Sequence, residues 1–201
     1  MDHVADLSAG QHTRLPPITP IRIAIVGSHG TGKSTLVTEL VHRIPGLVAI
    51  EEPYYHLLSA GHAFSEPPTI ADFEELVDAA IATFATHPAQ SLVFDRSPAD
   101  YLAYLVALQS QRPLGDHVAA TLSALNTLDL VVYVPIERPD RLPDADLPRL
   151  RRRVDRVLRE MFIDQTWGWT IPCLEVHGTL HQRADQVVAH MTARGIFRAG
   201  V

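Results

Sequence analysis

Eight consecutive residues, Gly27-Ser28-His29-Gly30-Thr31-Gly32-Lys33-Ser34, have the types and the spacing of a loop that grips a polyphosphate. Glycines at 27, 30 and 32 let the backbone turn with its N–H groups inward. A helix starting at the end of the loop adds unsatisfied N–H groups and a positive dipole end, and together they make an anion nest. Lys33 is the only lysine among the 17 basic side chains. A compact ammonium reaches between phosphate oxygens as a point charge, whereas a guanidinium wants a planar fork and more room. Scarcity of lysine shows only that this position resisted arginine; the surrounding spacing carries the argument. Ser34 would set its hydroxyl on a Mg²⁺ bridging the phosphates, with Thr35 just inside the helix. The expected ligand is ATP or another nucleoside triphosphate.

Two further constellations could act on such a ligand. Glu51-Glu52-Pro53-Tyr54-Tyr55 follows a short apolar run. A carboxylate there, Glu52 by preference, could accept a proton from an attacking hydroxyl or orient it. Neighbours on a strand face opposite ways, so which of Glu51 and Glu52 points inward stays open, and an acidic strand end facing water is the plain alternative. Phe94-Asp95-Arg96-Ser97-Pro98 ends another apolar run. Asp95 could hold Mg²⁺ through water and Arg96 could fork onto a phosphate or a substrate hydroxyl, while Ser97 and Pro98 also read as a capped helix start.

These groups work only if the chain's elements bring them together. Ile21, Ile23, Ile25 and Val26, with Arg22 and Ala24 between them, form a β-branched run ending at the first glycine, and Leu36, Val37, Leu40, Val41 and Ile44 follow at helical spacing. Further strands are expected at 47–50 (buried), 91–95, 130–134 and 173–176, with helices at about 70–86, 98–110, 116–126, 147–162 and 181–193. Alternating strands and helices imply a parallel sheet with right-handed crossovers. Such sheets bind ligands beyond the carboxyl ends of their strands, where all three constellations fall.

In the loop, the Glu-Pro-x-Tyr stretch at 52–55 and the Asp-Arg-Ser at 95–97, the chain resembles the deoxynucleoside kinase and thymidylate kinase branch of P-loop kinases. Its order and spacing also resemble the ATPase-like domains of nicotinamide riboside kinases. The resemblance implies a three-layer α/β P-loop NTPase fold, a five-stranded parallel sheet in the order 2-3-1-4-5, and a helical lid at about 136–165. It assigns the base or base-orienting role to Glu52, and magnesium and the acceptor to Asp95 and Arg96. It also places adenine near the turn at Gly178-Thr179 with Arg183. The acceptor it implies is a nucleoside, a nucleotide or a related metabolite.

The stretch Leu147 to Arg156 carries five arginines. At helical spacing 149, 152, 153 and 156 share one side and 151 leans away. One of them inserted over the triphosphate would stabilise the transferring phosphoryl group, and Arg149 and Arg153 are the expected pair; a solvated helix is the alternative. Tyr54, Tyr55, Tyr101 and Tyr104 could wall the acceptor pocket or simply pack in the core.

Composition sets the remaining bounds. A chain of 201 residues at 46% hydrophobic, with no repeat, suits one domain at 21–201 behind an arm at 1–20. The formal charge of −6 disfavours long nucleic acid or an anionic membrane as partner. Cys173 alone allows no internal disulfide, no run of spanning length is present, and the cytoplasm is the expected compartment. A homodimer stays open. No Asn-Lys-x-Asp guanine motif can be built with Lys33 as the one lysine, so the rival to a kinase is a regulatory nucleotide-binding protein with slow hydrolysis rather than a typical GTPase.

Overall fold

The computed structural model describes residues 20–86, 90–108, 114–140, 142–143 and 146–196. The arm expected at 1–20 lies outside them, except for Pro20. Five parallel strands, β1 (Arg22–Val26), β2 (Leu47–Ile50), β3 (Ser91–Asp95), β4 (Leu130–Tyr133) and β5 (Cys173–Glu175), form one sheet in the order β2-β3-β1-β4-β5. Register places Ile25 beside Asp95 on one side and beside Val132 on the other. The seven helices among the described residues are α1 (Lys33–Arg43), α2 (Pro53–Ser59), α3 (Ile70–Ala85), α4 (Pro98–Ala107), α5 (Gly115–Leu125), α6 (Pro148–Phe162) and α7 (Leu180–Ala193).

Side-chain alternation in β1 sorts the two faces. Ile23 and Ile25 pack with Leu36, Leu40, Val132 and Val187 under α1 and α7. Ala24 and Val26 pack with Phe94, Leu102, Tyr133 and Leu158 under α3 to α6. A parallel strand covered on both faces must be apolar throughout, which is why β4 reads as an unbroken hydrophobic run. β2 departs from the expected buried strand. It lies at the sheet edge, pairs only with β3, and leaves Val48 43% exposed.

Helix starts follow side-chain chemistry. Asp72 accepts from the Thr69 N–H at 2.7 Å and Asp100 from the Ser97 N–H at 2.8 Å, each satisfying an orphan donor ahead of its helix. α2 was not foreseen: Pro53 occupies its first turn, where a missing N–H costs nothing, and its seven residues are too few for a periodic pattern to show. Residues 109–110, expected to end the fourth helix, fall outside the described residues.

Candidate nucleotide and acceptor site

The glycine loop lies between β1 and α1. Its first residue has no room for a side chain, since a Cβ on Gly27 would sit 2.4 Å from the Val134 carbonyl oxygen. Gly27→Ala should therefore deform the loop and abolish any thermal stabilisation by MgATP, as a paired melting experiment would read. Gly32, just before α1, has φ +88°, a left-handed conformation that L side chains rarely adopt. Among the described backbone hydrogen bonds, none has its donor between Ser28 and Thr35.

The loop's carbonyls, in contrast, are held by four cations, three of them from outside the loop. Arg96 donates to Gly27 O at 3.3 Å, Lys33 to Ser28 O at 2.7 Å, Arg151 to His29 O at 2.8 Å and Arg183 to Thr31 O at 2.7 Å. Peptide units pinned by their oxygens fix where their N–H groups point. Four cations around one loop also raise the local potential, and both effects favour a polyanion. Burial, followed by repulsion from Arg96, lowers the Lys33 ammonium to a pKa of about 7. The structure places Ser34 and Thr35 exposed at the helix entrance and Ser28 and Thr31 buried beneath the loop.

Beside the loop, Glu52 is the inward carboxylate and Glu51 faces solvent. Glu52 Oε1 lies 2.6 Å from Arg96 Nε and accepts from the Tyr101 hydroxyl at 3.2 Å. Arg96 has φ +78°, an uncommon backbone conformation for a residue with a side chain. Its guanidinium is also 3.7 Å from Asp100 and stands over the Tyr101 ring at 5.8 Å. Burial opposes the Arg96 charge, but Glu52, Tyr104, Tyr101 and Asp100 outweigh it and raise the pKa well above the usual guanidinium value.

Asp95 ends β3 nearly buried, and its Oδ1 has no hydrogen-bond partner among the described residues. A buried carboxylate oxygen without a donor is costly unless something else serves it. With the exposed Ser34 hydroxyl, this fits a Mg²⁺ held mainly by phosphate oxygens and water.

The arginine helix departs from expectation. Arg149 and Arg153 lie on the solvent face of α6, and Arg151 is the member that reaches the loop, 3% exposed and also paired with Asp140. The apolar face of α6 carries Val154, Leu158 and Met161, so the arginines four residues apart on the opposite face turn outward. The segment before α6 runs close to the loop: a Cβ on Gly30 would lie 3.2 Å from Leu142 Cδ1. His29 contacts Tyr104 Oη at 2.8 Å through Nδ1 and the Asp146 carbonyl at 2.5 Å through Nε2. Burial first, then its cationic neighbours, lowers its pKa.

A cleft of about 890 Å³ opens at the carboxyl ends of β4 and β5, lined by residues including Ile136, Arg138, Arg152, Arg156, Glu175 and His177. It lies beside the loop, to which Glu137 and Arg183 connect it through a 2.7 Å ion pair.

The contacts that three residues make with the loop escaped sequence reasoning. Asp100 is fully buried and accepts from the Gly27 N–H at 2.9 Å, tying α4 to the loop; burial raises its pKa despite the pull of Arg96 and Lys33. The Ser-Pro-x-Asp pattern signalled its helix-start contact but not its reach to residue 27. Arg151, expected to lean away from the other arginines, and Arg183, placed by the resemblance near the adenine, hold carbonyls 122 and 152 positions away, contacts for which no local signal exists. Arg183→Met would free the Thr31 carbonyl, and calorimetry should show ATP binding weakened about tenfold, since a charge-assisted bond contributes roughly 1.5–3 kcal/mol.

Together the sheet order, the loop and the carboxylate beside it define a kinase-like P-loop fold, that of nucleoside and nucleotide kinases. Residues 22–183 match the AAA domain family, and the chain belongs to it. No curated protein matches the sequence. Among solved structures, thymidylate kinase from Candida albicans is 14% identical, with 89% of this chain and 93% of that one covered and a TM-score of 0.61. Deoxyadenosine kinase from M. mycoides, solved with bound products, is 13% identical, with 87% and 100% covered and a TM-score of 0.60. NadR in complex with NR is 16% identical with a TM-score of 0.57; 91% of this chain aligns, spanning 52% of NadR. At these identities the likeness is one of fold.

Proposed function

We propose that the chain is an ATP-dependent phosphotransferase that moves the γ-phosphoryl group to a small-molecule acceptor. The observation that carries this reading is the Glu52 carboxylate, held by Arg96 and Tyr101 beside a glycine loop whose carbonyls are pinned outward. A nucleotide binder that only signals has no need of a fixed carboxylate at that point.

In this reading the amides of Ser28, His29, Gly30, Thr31 and Gly32, with those of Lys33, Ser34 and Thr35, receive the phosphates. Lys33 turns its ammonium from Ser28 O toward their oxygens. Ser34 and, through water, Asp95 would hold Mg²⁺, which when bound neutralises charge between the phosphates. Base and ribose occupy the cleft at the ends of β4 and β5. Glu52 orients the acceptor hydroxyl and takes its proton, and Arg96 fixes Glu52 while facing the developing charge. The stretch from 136 to 165 acts as a lid that meets the loop through Arg151 and the Asp146 carbonyl, with Arg149 and Arg153 available only if α6 shifts.

ATP consumption with and without a panel of hydroxylated metabolites tests the reading. Turnover that depends on an acceptor is expected. Equal slow hydrolysis throughout would instead indicate a regulatory nucleotide-binding protein.

A further inference from the structure

We propose that the acceptor is an unphosphorylated alcohol, neutral or cationic, of nucleoside-like size rather than a nucleotide; this rests on the kinase reading above. From Ile44 to Asp95 the sequence contains eight carboxylates and no lysine or arginine. Those residues build β2, α2, α3 and β3, most of the flank of the sheet on the Glu52 side.

At the carboxyl ends of these strands the one guanidinium among the described residues is Arg96, already committed to Glu52 at 2.6 Å, Asp100 at 3.7 Å and Gly27 O at 3.3 Å. Arg22 reaches the flank at the opposite end, where it donates to Phe84 O at 2.7 Å. α4, which completes the flank, adds Asp100 and no cation. The other buried cations serve the triphosphate side: Lys33, Arg151 and Arg183 each hold a loop carbonyl, and the two arginines are also paired with Asp140 and Glu137. Of the described histidines on the flank, His56 is exposed and His62 stands 3.8 Å from Asp72.

Glu51, Glu66, Glu75 and Asp78 face solvent, but Glu52, Asp72, Asp95 and Asp100 do not. A phosphate carried on the acceptor would therefore have to leave water for these carboxylates with, among the described residues, no uncommitted guanidinium at that end. Like charges brought together and desolvated cost several kcal/mol, and nothing here repays it. A neutral alcohol meets no such penalty, and a cation is attracted. Tyr54, half-buried and stacked on Phe64 at 4.5 Å, gives the flank an aromatic edge that suits a flat substituent.

In the transfer, a lone pair of the acceptor hydroxyl oxygen forms the new bond to the γ-phosphorus. The bond to the β,γ-bridging oxygen breaks with its electron pair remaining on ADP, and the hydroxyl proton passes to Glu52. The product is a phosphate monoester, which the same carboxylates repel, so the charge pattern that admits the alcohol also favours release.

The test incubates the full chain with MgATP and each member of a matched panel: the natural ribo- and deoxyribonucleosides, a pyridinium riboside, and the 5′-monophosphate of each. Products are separated by ion-exchange chromatography. At least one unphosphorylated member should be converted to its monoester, with kcat/KM at least about 100-fold above that of its own monophosphate. Conversion of a monophosphate to a diphosphate with the higher kcat/KM would overturn this inference and leave the kinase reading standing. MgATP binding by calorimetry without conversion of any unphosphorylated member would likewise overturn it, whereas absence of MgATP binding would remove the kinase reading itself.

Discussion

Glu52→Gln is expected to lower acceptor-dependent ATP turnover about 10²–10⁴-fold while leaving the ATP dissociation constant within about twofold. Glutamine keeps an oxygen to accept the Tyr101 hydroxyl but cannot take a proton from the acceptor. It also leaves Arg96, largely buried and 2.6 Å from the lost charge, with Asp100 as its remaining carboxylate neighbour. Some loss of stability is therefore expected as well, because removing one partner of a buried pair strands the other. Glu52→Asp separates the two effects, since it keeps the charge and shortens the reach. It should recover stability in a thermal melt more fully than it recovers turnover. Undiminished turnover in Glu52→Gln would take this carboxylate out of the mechanism.

What was legible in the sequence was what neighbours along the chain determine. The β-branched run, the glycine loop and the periodic helix after it are contiguous, so β1, the loop and α1 fall where the spacing put them. Buried strands β3 and β4 announced themselves because both faces are covered. β2 did not, since an apolar run of four residues reads the same at an edge as at the centre.

The orientation of Glu52 over Glu51 was undecidable from strand alternation. It is set by Arg96 and Tyr101, 44 and 49 residues away. The choice among the α6 arginines failed for a related reason. Helical spacing correctly separated 151 from 149, 152, 153 and 156, but which side faces the loop depends on where α6 docks. That is fixed by its packing on α4. The ring of cations on the loop carbonyls is tertiary throughout: Arg96, Lys33, Arg151 and Arg183 come from four separate segments.

Lys33→Met should abolish measurable MgATP binding at micromolar protein and, in the free protein, remove a pH dependence of stability. The folded pKa of about 7 lies below the unfolded lysine value of roughly 10.4. Between these values the unfolded chain binds a proton that the folded chain does not, so stability rises with pH, by at most about 1.4 kcal/mol per unit from this group. Below pH 7 both states carry the charge and the full cost of burying it is present.

The window that isolates Lys33 runs from about pH 7 to 8.5. Above it Cys173, whose thiol burial pushes up to about 12, begins to lower stability as pH rises. Chemical denaturation across this window should show a positive slope in the native chain and a flatter one in Lys33→Met, with the variant's relative gain largest near pH 6. The same pKa predicts a second signature. A polyphosphate favours the charged ammonium, so MgATP binding at pH 8 should take up close to one proton, read as a dependence of the calorimetric heat on buffer ionisation enthalpy. Equal pH slopes in the two proteins, with no proton uptake on binding, would show that Lys33 is charged before the nucleotide arrives. Its burial would then not be the source of the nest's demand for an anion.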